Sequence, residues 1–245
     1  MDILKSVLVW LTGVLYMLVL FPLTFAVWLV MLPFDKERMV THMLLVYQSW
    51  LICHIMPVWS LETMGNLKSA KGKTFVVISN HQSILDILFI NSLGMRFKWV
   101  SKIENTKVPV LGWYLKMADY LTVDRGDRDS KDRMMEAALS CLRRGTSVMM
   151  FPEGTRSAGG DLGIFKRGAF QLAIASGRPV LPVVIDGTGD ILPKHGLLFR
   201  SGNRVRIKVL EPVEPKDFVT DNHDELALWF NELIKKELVI LRSTD

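Results

Sequence analysis

The sequence is poor in cysteine and has no dense cluster of positive charge. Its two cysteines, Cys53 and Cys141, lack the spacing of metal-binding or redox motifs, which favours buried thiols in a reducing, cytosol-facing location. Lys and Arg residues are not concentrated among aromatic residues, so nucleic acid is not an expected partner. The chain also has no Gly-x-Ser-x-Gly motif, which argues against a serine hydrolase.

Charged residues are missing from the 28 positions between Val7 and Phe34. At 1.5 Å per residue this stretch would form a helix about 42 Å long, enough to cross a bilayer with some tilt. It is too long for the core of a signal peptide, so we expect it to be retained. Pro22 lies inside the stretch and is expected to kink it.

A second apolar segment, residues 39–59, follows the polar residues 35–38. Its polar side chains would be costly in a helix surrounded by lipid, so we expect a helical hairpin with residues 35–38 as its turn. His42 and His54 are expected to be packing or interfacial residues rather than ligands. The hairpin would hold residues 1–59 at the membrane, either crossing it or lying in one leaflet. The alternative is a helix pair buried inside a soluble protein.

The net charge of the chain is +5, from 30 basic and 25 acidic residues. The first 60 residues carry three charges of each sign, so the whole excess falls on the remainder of the chain. A basic remainder of this kind suits an anionic substrate or a membrane surface.

Strand-like and helix-like stretches alternate from residue 74 onward. Strands are predicted at 74–79, 97–101, 119–123, 147–151, 180–185 and 204–210, and helices at 84–94, 108–117, 130–143, 168–176 and 223–241. This alternation predicts a layered α/β domain over residues 60–245, with a largely parallel central sheet flanked by helices. Residues 58–73 are expected to be a polar connection between the hairpin and this domain.

The turn after the first of these strands carries His81. Ser83 is a suitable N-cap for the next helix, and Asp86 would then lean back from the third helical position toward His81. A carboxylate bonded to one imidazole nitrogen leaves the other nitrogen free to act as a base. The alternative is that Ser83-x-x-Asp86 is a capping box, in which Asp86 only accepts hydrogen bonds from backbone amides.

Three cations follow other predicted strands: Lys102, Arg125 and Arg156. The carboxyl ends of parallel strands meet at one edge, where α/β proteins bind ligands, so these side chains are expected to converge with His81. Arg binds phosphate through a bidentate fork, and Lys acts as a point charge. For Arg125, within the charged run 124–129, the alternative is a solvated loop of salt bridges.

Four short blocks stand in a fixed order along the chain. They are Asn80-His81-x4-Asp86, Val123-Asp124-Arg125, Phe-Pro-Glu-Gly-Thr-Arg-Ser from Phe151 to Ser157, and the apolar strand from Val180 to Ile185. In these blocks, in Lys102 and in the stretch from Phe165 to Ala169, the chain resembles the glycerolipid acyltransferase family over roughly residues 60–210. The resemblance is closest to the bacterial 1-acyl-sn-glycerol-3-phosphate acyltransferases. The second block departs most from the family pattern, which often has Phe-Ile before Asp-Arg.

This resemblance implies an activity and a site. A fatty acyl group would pass from acyl-CoA or acyl-carrier protein to the sn-2 hydroxyl of lysophosphatidic acid, with no acyl-enzyme, no metal and no cofactor. His81 and Asp86 would be catalytic. The substrate-binding residues would be Lys102, Arg125, Glu153, Gly154, Thr155 and Arg156.

The resemblance also bears on the surroundings of the site. Glu153 would order its loop and pair with a nearby cation, because a buried carboxylate needs partners. Backbone amides around His81 are candidates for stabilising the oxyanion. The enzyme would lie among membrane lipids at the cell membrane, with its catalytic domain on the cytoplasmic face.

Three other functions remain open at this point. The acceptor could be glycerol-3-phosphate or another lysophospholipid, within the same superfamily. The protein could instead be a membrane lipid-binding protein without catalysis. Hydrolysis is the third, although the missing serine motif counts against it.

Overall fold

The computed structural model describes residues 2–56, 58–67, 72–157, 161–200 and 203–243. Its centre is a seven-stranded sheet with the strand order β1-β7-β6-β2-β5-β3-β4. The strands are β1 (Trp59–Gly65), β2 (Val76–Ser79), β3 (Phe97–Lys102), β4 (Leu121–Val123), β5 (Ser147–Met150), β6 (Val180–Asp186) and β7 (Asn203–Val209). All neighbours run parallel except β6 and β7. The predicted α/β fold with a largely parallel sheet is confirmed.

Helices cover both faces of the sheet, because the central strands are apolar on both sides. In β2, Val76 and Ile78 face one layer, while Val77 faces the other. The first layer contains α5 (Arg128–Arg143), α6 (Gly168–Ser176) and α8 (His223–Arg242), and the second contains α2 (Met39–Ile55) and α3 (Leu85–Asn91). Two further helices are short: α4 (Leu111–Met117) and α7 (Thr188–Ile191).

Strand β1 corrects the sequence interpretation, which placed a polar connection at residues 58–73. Residues Trp59 to Gly65 pair in parallel with β7 along their whole length. The strand is hard to see in the sequence because Ser60, Glu62 and Thr63 interrupt its apolar residues. As an edge strand it is only partly buried, so it needs no continuous apolar run.

The first two helices form the predicted hairpin. Helix α1 (Asp2–Met31) continues through Pro22, and α2 lies against it in the opposite direction. The hydroxyl of Tyr16 donates to the carbonyl of Gln48 at 2.8 Å, and the Gln48 amide donates to Thr24 at 2.7 Å. In the turn, the Asp35 carboxylate accepts the first two amides of α2 at 2.9 and 2.7 Å, so a side chain within the predicted turn caps the second helix.

The two helices of the hairpin differ in burial. Helix α1 is long and apolar enough to cross a membrane. Of its most apolar 18-residue stretch, 6% is buried. Helix α2 contacts α3 and β1, and Cys53 is part of the hydrophobic cluster on that face of the sheet. His42 is a packing residue, as predicted: its ring bonds the Tyr120 hydroxyl at 2.8 Å and the Met95 carbonyl at 2.9 Å. Helix α2 is therefore part of the domain's own core.

Candidate active site

Five neighbouring strands bring their carboxyl ends to one edge of the sheet: β6, β2, β5, β3 and β4. His81 lies just beyond β2, and residues 151–157 lie just beyond β5. Lys102 ends β3, and Arg125 lies just beyond β4. The side-chain amide of Asn80 fixes the first of these turns, because it exchanges hydrogen bonds of 2.8 and 2.9 Å with the backbone of Ile185 in β6.

His81 is paired with Asp86. The imidazole Nδ1 lies 2.7 Å from Asp86 Oδ2, so in the neutral ring Nδ1 carries the proton and Nε2 keeps its lone pair. The ring stacks on Phe151 with centroids 3.8 Å apart and planes 6° from parallel. The His81 side chain is 15% exposed, so the ring is oriented from two sides and still reachable. Within the described part of the chain no residue is hydrogen-bonded to Nε2.

Asp86 is buried, and donors surround its carboxylate. Besides the imidazole, Oδ2 accepts the backbone amides of Gln82 at 2.7 Å and Ser83 at 2.9 Å. The other oxygen, Oδ1, accepts a hydrogen bond from the hydroxyl of Thr188. Asp86 therefore both holds the imidazole and caps the backbone of the turn, so the alternative in which it only accepts backbone amides is wrong.

The N-cap role predicted for Ser83 holds only in part. Helix α3 begins at Leu85, and Ile84 occupies the capping position without a side-chain bond, while the Ser83 hydroxyl accepts the Leu85 amide at a long 3.4 Å. The Ser83 hydroxyl also donates to the carbonyl of Leu192 at 2.7 Å, which ties this turn to the residue after α7. Asp86 takes over the capping because its carboxylate already faces the free amides of the turn.

Glu153 is buried beneath the same turn. Its Oε1 accepts the backbone amide of His81 at 2.7 Å, and its Oε2 accepts that of Gly163 at 2.9 Å. Burial raises the pKa of the Glu153 carboxyl, although these two amides act in the opposite direction. The expected cation partner is wrong, because among the described residues no basic group forms a salt bridge with Glu153. Its partners are backbone amides.

The amides near His81 cannot serve as the expected oxyanion donors. The amide of His81 is bonded to Glu153, and those of Gln82 and Ser83 are bonded to Asp86. Each backbone N–H has one proton to donate, so the three are already used. Donors for a tetrahedral oxygen must come from another part of the site.

The predicted cations are less buried than the His81 pair. Lys102 forms a 2.6 Å salt bridge with Glu104, and both side chains are about half exposed. A guanidinium nitrogen of Arg125 donates to the carbonyl of Gly154. Partial burial lowers the pKa of Arg125, and the nearby Glu104 carboxylate opposes this effect. The structure thus brings Arg125 onto the loop after β5, while Lys102 is already paired with an acid.

The loop after β5 is shaped by two close contacts. Gly154 adopts a φ of +71°, which favours glycine, and a Cβ there would lie 3.1 Å from Lys166 Nζ. The carbonyl of Arg156 accepts a hydrogen bond of 2.7 Å from Lys194. Thr155 is exposed at the tip of the loop. Among the described residues no group of three His, Cys, Asp or Glu side chains is placed to hold a metal.

Comparison with known proteins shows the family to which this chain belongs. The family model described as Acyltransferase matches residues 61–186, just over half of the chain. The match begins within β1 and ends with β6, so it contains every strand end described above. The chain belongs to the acyltransferase family. The resemblance seen in the sequence is confirmed.

Relatives of this acyltransferase share its sequence at moderate identity. A chloroplastic 1-acyl-sn-glycerol-3-phosphate acyltransferase of Brassica napus, BAT2, is 36% identical over 74% of this chain and 53% of its own length. The chloroplastic LPAT1 of Arabidopsis thaliana is 36% identical over 74% of this chain and 51% of its own length. The chain therefore spans about half the length of these curated relatives.

A solved structure is similar over the whole chain. The 1-acyl-sn-glycerophosphate acyltransferase PlsC of Thermotoga maritima has a TM-score of 0.80 and 25% sequence identity to this chain. The similarity covers 100% of this chain and 97% of that one. The acyltransferase thus shares its architecture, including the N-terminal helices, with a bacterial protein of similar extent.

Sequence reasoning missed several residues of the acyltransferase site. Thr188, Phe151 and Glu104 each contact a predicted residue. Phe151 stood within a recognised block, but no pattern indicated that its ring would lie on His81. Thr188 lies 102 positions from Asp86, so no local spacing could connect the two. Glu104 follows Lys102 closely, and that spacing could have predicted the salt bridge.

Proposed function

We propose that this acyltransferase moves a fatty acyl group from acyl-CoA or acyl-carrier protein to the sn-2 hydroxyl of 1-acyl-sn-glycerol-3-phosphate, giving phosphatidic acid. The His81–Asp86 pair carries this proposal, because its accessible imidazole nitrogen lies at an edge that also bears Lys102, Arg125 and Arg156. The names of the plant relatives and of the bacterial structure support the choice of acceptor. The acyl donor follows from the resemblance to the glycerolipid acyltransferase family.

His81 acts as the general base in the proposed reaction. An alcohol is a weak nucleophile near neutral pH, so Nε2 removes its proton while the oxygen attacks the thioester carbonyl. Asp86 holds the imidazole in the required tautomer and stabilises the positive charge that forms. When the tetrahedral intermediate collapses, the carbon–sulfur bond breaks and the thiolate takes the proton back from His81. No group on the protein is acylated.

The phosphate of the acceptor is assigned to the three cations at the same edge. Arg156 offers a planar fork and Arg125 a second guanidinium, while Lys102 supplies a point charge. Glu153, Gly154 and Thr155 shape the loop that presents Arg156. With the amides of the His81 turn already bonded, we assign the oxyanion to a donor outside that turn, such as a guanidinium at the same edge.

The proposal is tested by giving purified protein lysophosphatidic acid and a mixed pool of acyl-CoA, and by analysing the products by mass spectrometry. His81→Ala should reduce the rate of acyl transfer by about 10²- to 10⁴-fold, the usual contribution of a general base. Its thermal unfolding should resemble that of the wild type, because only an imidazole at the surface of the site is lost. A folded His81→Ala protein with wild-type activity would contradict the mechanism. Use of glycerol-3-phosphate in preference to the lysolipid would contradict the acceptor.

We also propose that the hairpin holds the catalytic edge at the cytoplasmic face of the cell membrane. The exposed apolar surface of α1 supports an insertion, and the packing of α2 on the domain favours one leaflet over a full crossing. A hairpin that crosses the membrane would place Lys36, in the turn, on the face opposite the domain. A hairpin within one leaflet would keep Lys36 on the domain's own face. A single cysteine at Lys36 in a Cys-free background is probed in vesicles of both orientations with an impermeant thiol reagent. Labelling from the domain's own face is expected, and labelling from the opposite face alone would show a crossing.

A further inference from the structure

The hydroxyl of Thr188 reaches the catalytic pair from behind. Thr188 opens α7, and its side chain is 0% exposed. Gly187 before it has a φ of +90°, and a Cβ there would lie 2.1 Å from the Arg204 carbonyl oxygen. Only glycine fits this close approach between the end of β6 and β7. The turn carries Thr188 underneath Asp86, where its hydroxyl bonds Oδ1.

The single hydroxyl proton of Thr188 has two oxygens within reach. One is Asp86 Oδ1, and the other is Gln82 Oε1 at 3.4 Å. The acceptor on Asp86 is a carboxylate and the acceptor on Gln82 is a neutral amide, and hydrogen bonds to an ionised acceptor are the stronger kind. The proton therefore belongs to Asp86.

The orientation of the Gln82 amide supports this assignment. Its Nε2 donates to Asp186 Oδ1 at 3.1 Å, so its oxygen must face Thr188. Asp186 is an acceptor on both oxygens, because Arg242 donates at 3.0 Å and Arg206 at 3.3 Å. A flipped Gln82 amide would lose the bond to Asp186, and for that reason Gln82 cannot offer Thr188 a donor instead.

We propose that Thr188 is a positioning residue for acyl transfer, acting on His81 through the second oxygen of Asp86. The inference rests on the proposed base role of His81. Without the hydroxyl, Oδ1 would be buried without a donor, at a cost that favours rotation or protonation of the carboxylate. Either response weakens the hold on the imidazole. The charged groups facing Asp86 are His81 and Glu153. Asp186 is more distant and is bonded to the far end of Gln82.

The test compares Thr188→Val, which keeps the shape and removes the hydroxyl, with Thr188→Ser, which keeps the hydroxyl. Valine should lower kcat by about 10- to 100-fold, as partners one step removed from a functional imidazole typically do, and leave both KM values unchanged. The apparent pKa of the acid limb of the kcat/KM profile should rise, because the pair loses a donor to its charged form. Serine should restore kcat and the profile. The matched control is Thr146→Val, a buried threonine at the opposite end of β5, which should behave like the wild type.

Full activity in a folded Thr188→Val protein would overturn the inference, and so would a serine variant as slow as valine. If valine prevents folding, Thr188→Cys supplies a weaker donor of similar size and should give an intermediate kcat. The NMR signal of the His81 Nδ1 proton is a readout that needs no turnover. Its chemical shift should change in Thr188→Val and remain unchanged in Thr188→Ser. An unchanged chemical shift in Thr188→Val would reject the contact. A wild type without acyltransferase activity would reject the proposed function instead.

Discussion

The two halves of the catalytic edge are built differently. Around His81, every polar partner is buried and bonded: Asp86 has four donors, and Glu153 has two. Around the cations, Lys102 is half exposed, and Arg125 lies at the surface. The proposed base is thus held in a fixed geometry by the fold, whereas the side chains proposed to bind phosphate are exposed enough to adjust.

This difference matches the demands of the proposed chemistry. A proton transfer requires the base at hydrogen-bond distance from the reacting hydroxyl, so fixed dipoles in a dry environment are favourable. A phosphate on a lipid headgroup tolerates variation, because charge attraction falls slowly with distance. Substitutions around His81 should therefore affect kcat, and substitutions of the cations should affect KM for the acceptor.

The largest contrast is expected between two changes at Asp86. In Asp86→Asn the amide oxygen can still accept the bonds made to Oδ2, and the amide nitrogen can donate to Thr188, so the fold should be kept. The lost negative charge no longer stabilises the imidazolium, so kcat should fall by up to about 10⁴-fold, the size of the loss for the matching change in serine-protease triads. Asp86→Ala should in addition lower the free energy of unfolding by about 1–3 kcal/mol for each buried amide left unpaired. Kinetics and thermal unfolding separate the two effects, and an active Asp86→Asn protein would contradict the comparison.

A smaller and different effect is expected at Arg156. Arg156→Lys keeps the positive charge and removes the planar fork, so KM for lysophosphatidic acid should rise about tenfold while KM for the acyl donor stays the same. Arg133→Lys is the control, because Arg133 is a largely exposed residue of α5 whose salt bridge is with Asp127. An equal rise in both KM values would mean that Arg156 does not distinguish the acceptor. Equal use of an acceptor without phosphate would lead to the same conclusion about Arg156.

The smallest effect concerns stability and Glu153. Burial raises the pKa of this carboxyl, so the folded protein holds its proton to higher pH than the unfolded chain does. The stability linked to that proton is fully present below the unfolded pKa of about 4.3 and is lost as pH rises through the folded value. The melting temperature of the wild type, relative to Glu153→Gln, should therefore fall as pH increases from about 4. Glu136→Gln, an exposed change on α5, should show no such trend, and a parallel pH dependence in both variants would contradict the assignment.

Local sequence was enough to predict what depends on near neighbours. Parallel strands, the hairpin turn at residues 35–38 and the pairing of His81 with Asp86 all follow from patterns within a few residues. The sequence also placed Lys102, Arg125 and Arg156 at the correct edge, because the ends of parallel strands share one edge. The roles of these residues stay predictions until the variants are measured.

What the sequence could not predict depends on distant contacts. Glu153 was expected to meet a cation, but the chain brings it under the amide of His81, 72 positions away. Thr188 reaches Asp86 only because Gly187 lets β6 turn beside Arg204. Strand β1 escaped notice because its pairing partner, β7, lies far along the chain and its own residues are mixed in polarity.

The pairing of β1 with β7 also sets the order in which the protein can be completed. β1 follows directly after α2, yet the strand that binds it spans Asn203–Val209. During synthesis, which proceeds toward the C-terminus, the hairpin emerges before β1, and β1 then waits unpaired until β7 has been made. Contacts so distant in sequence close late and slowly. A ribosome that stops before β7 would leave an open strand edge beside an apolar helix, and the partial product would be prone to aggregate.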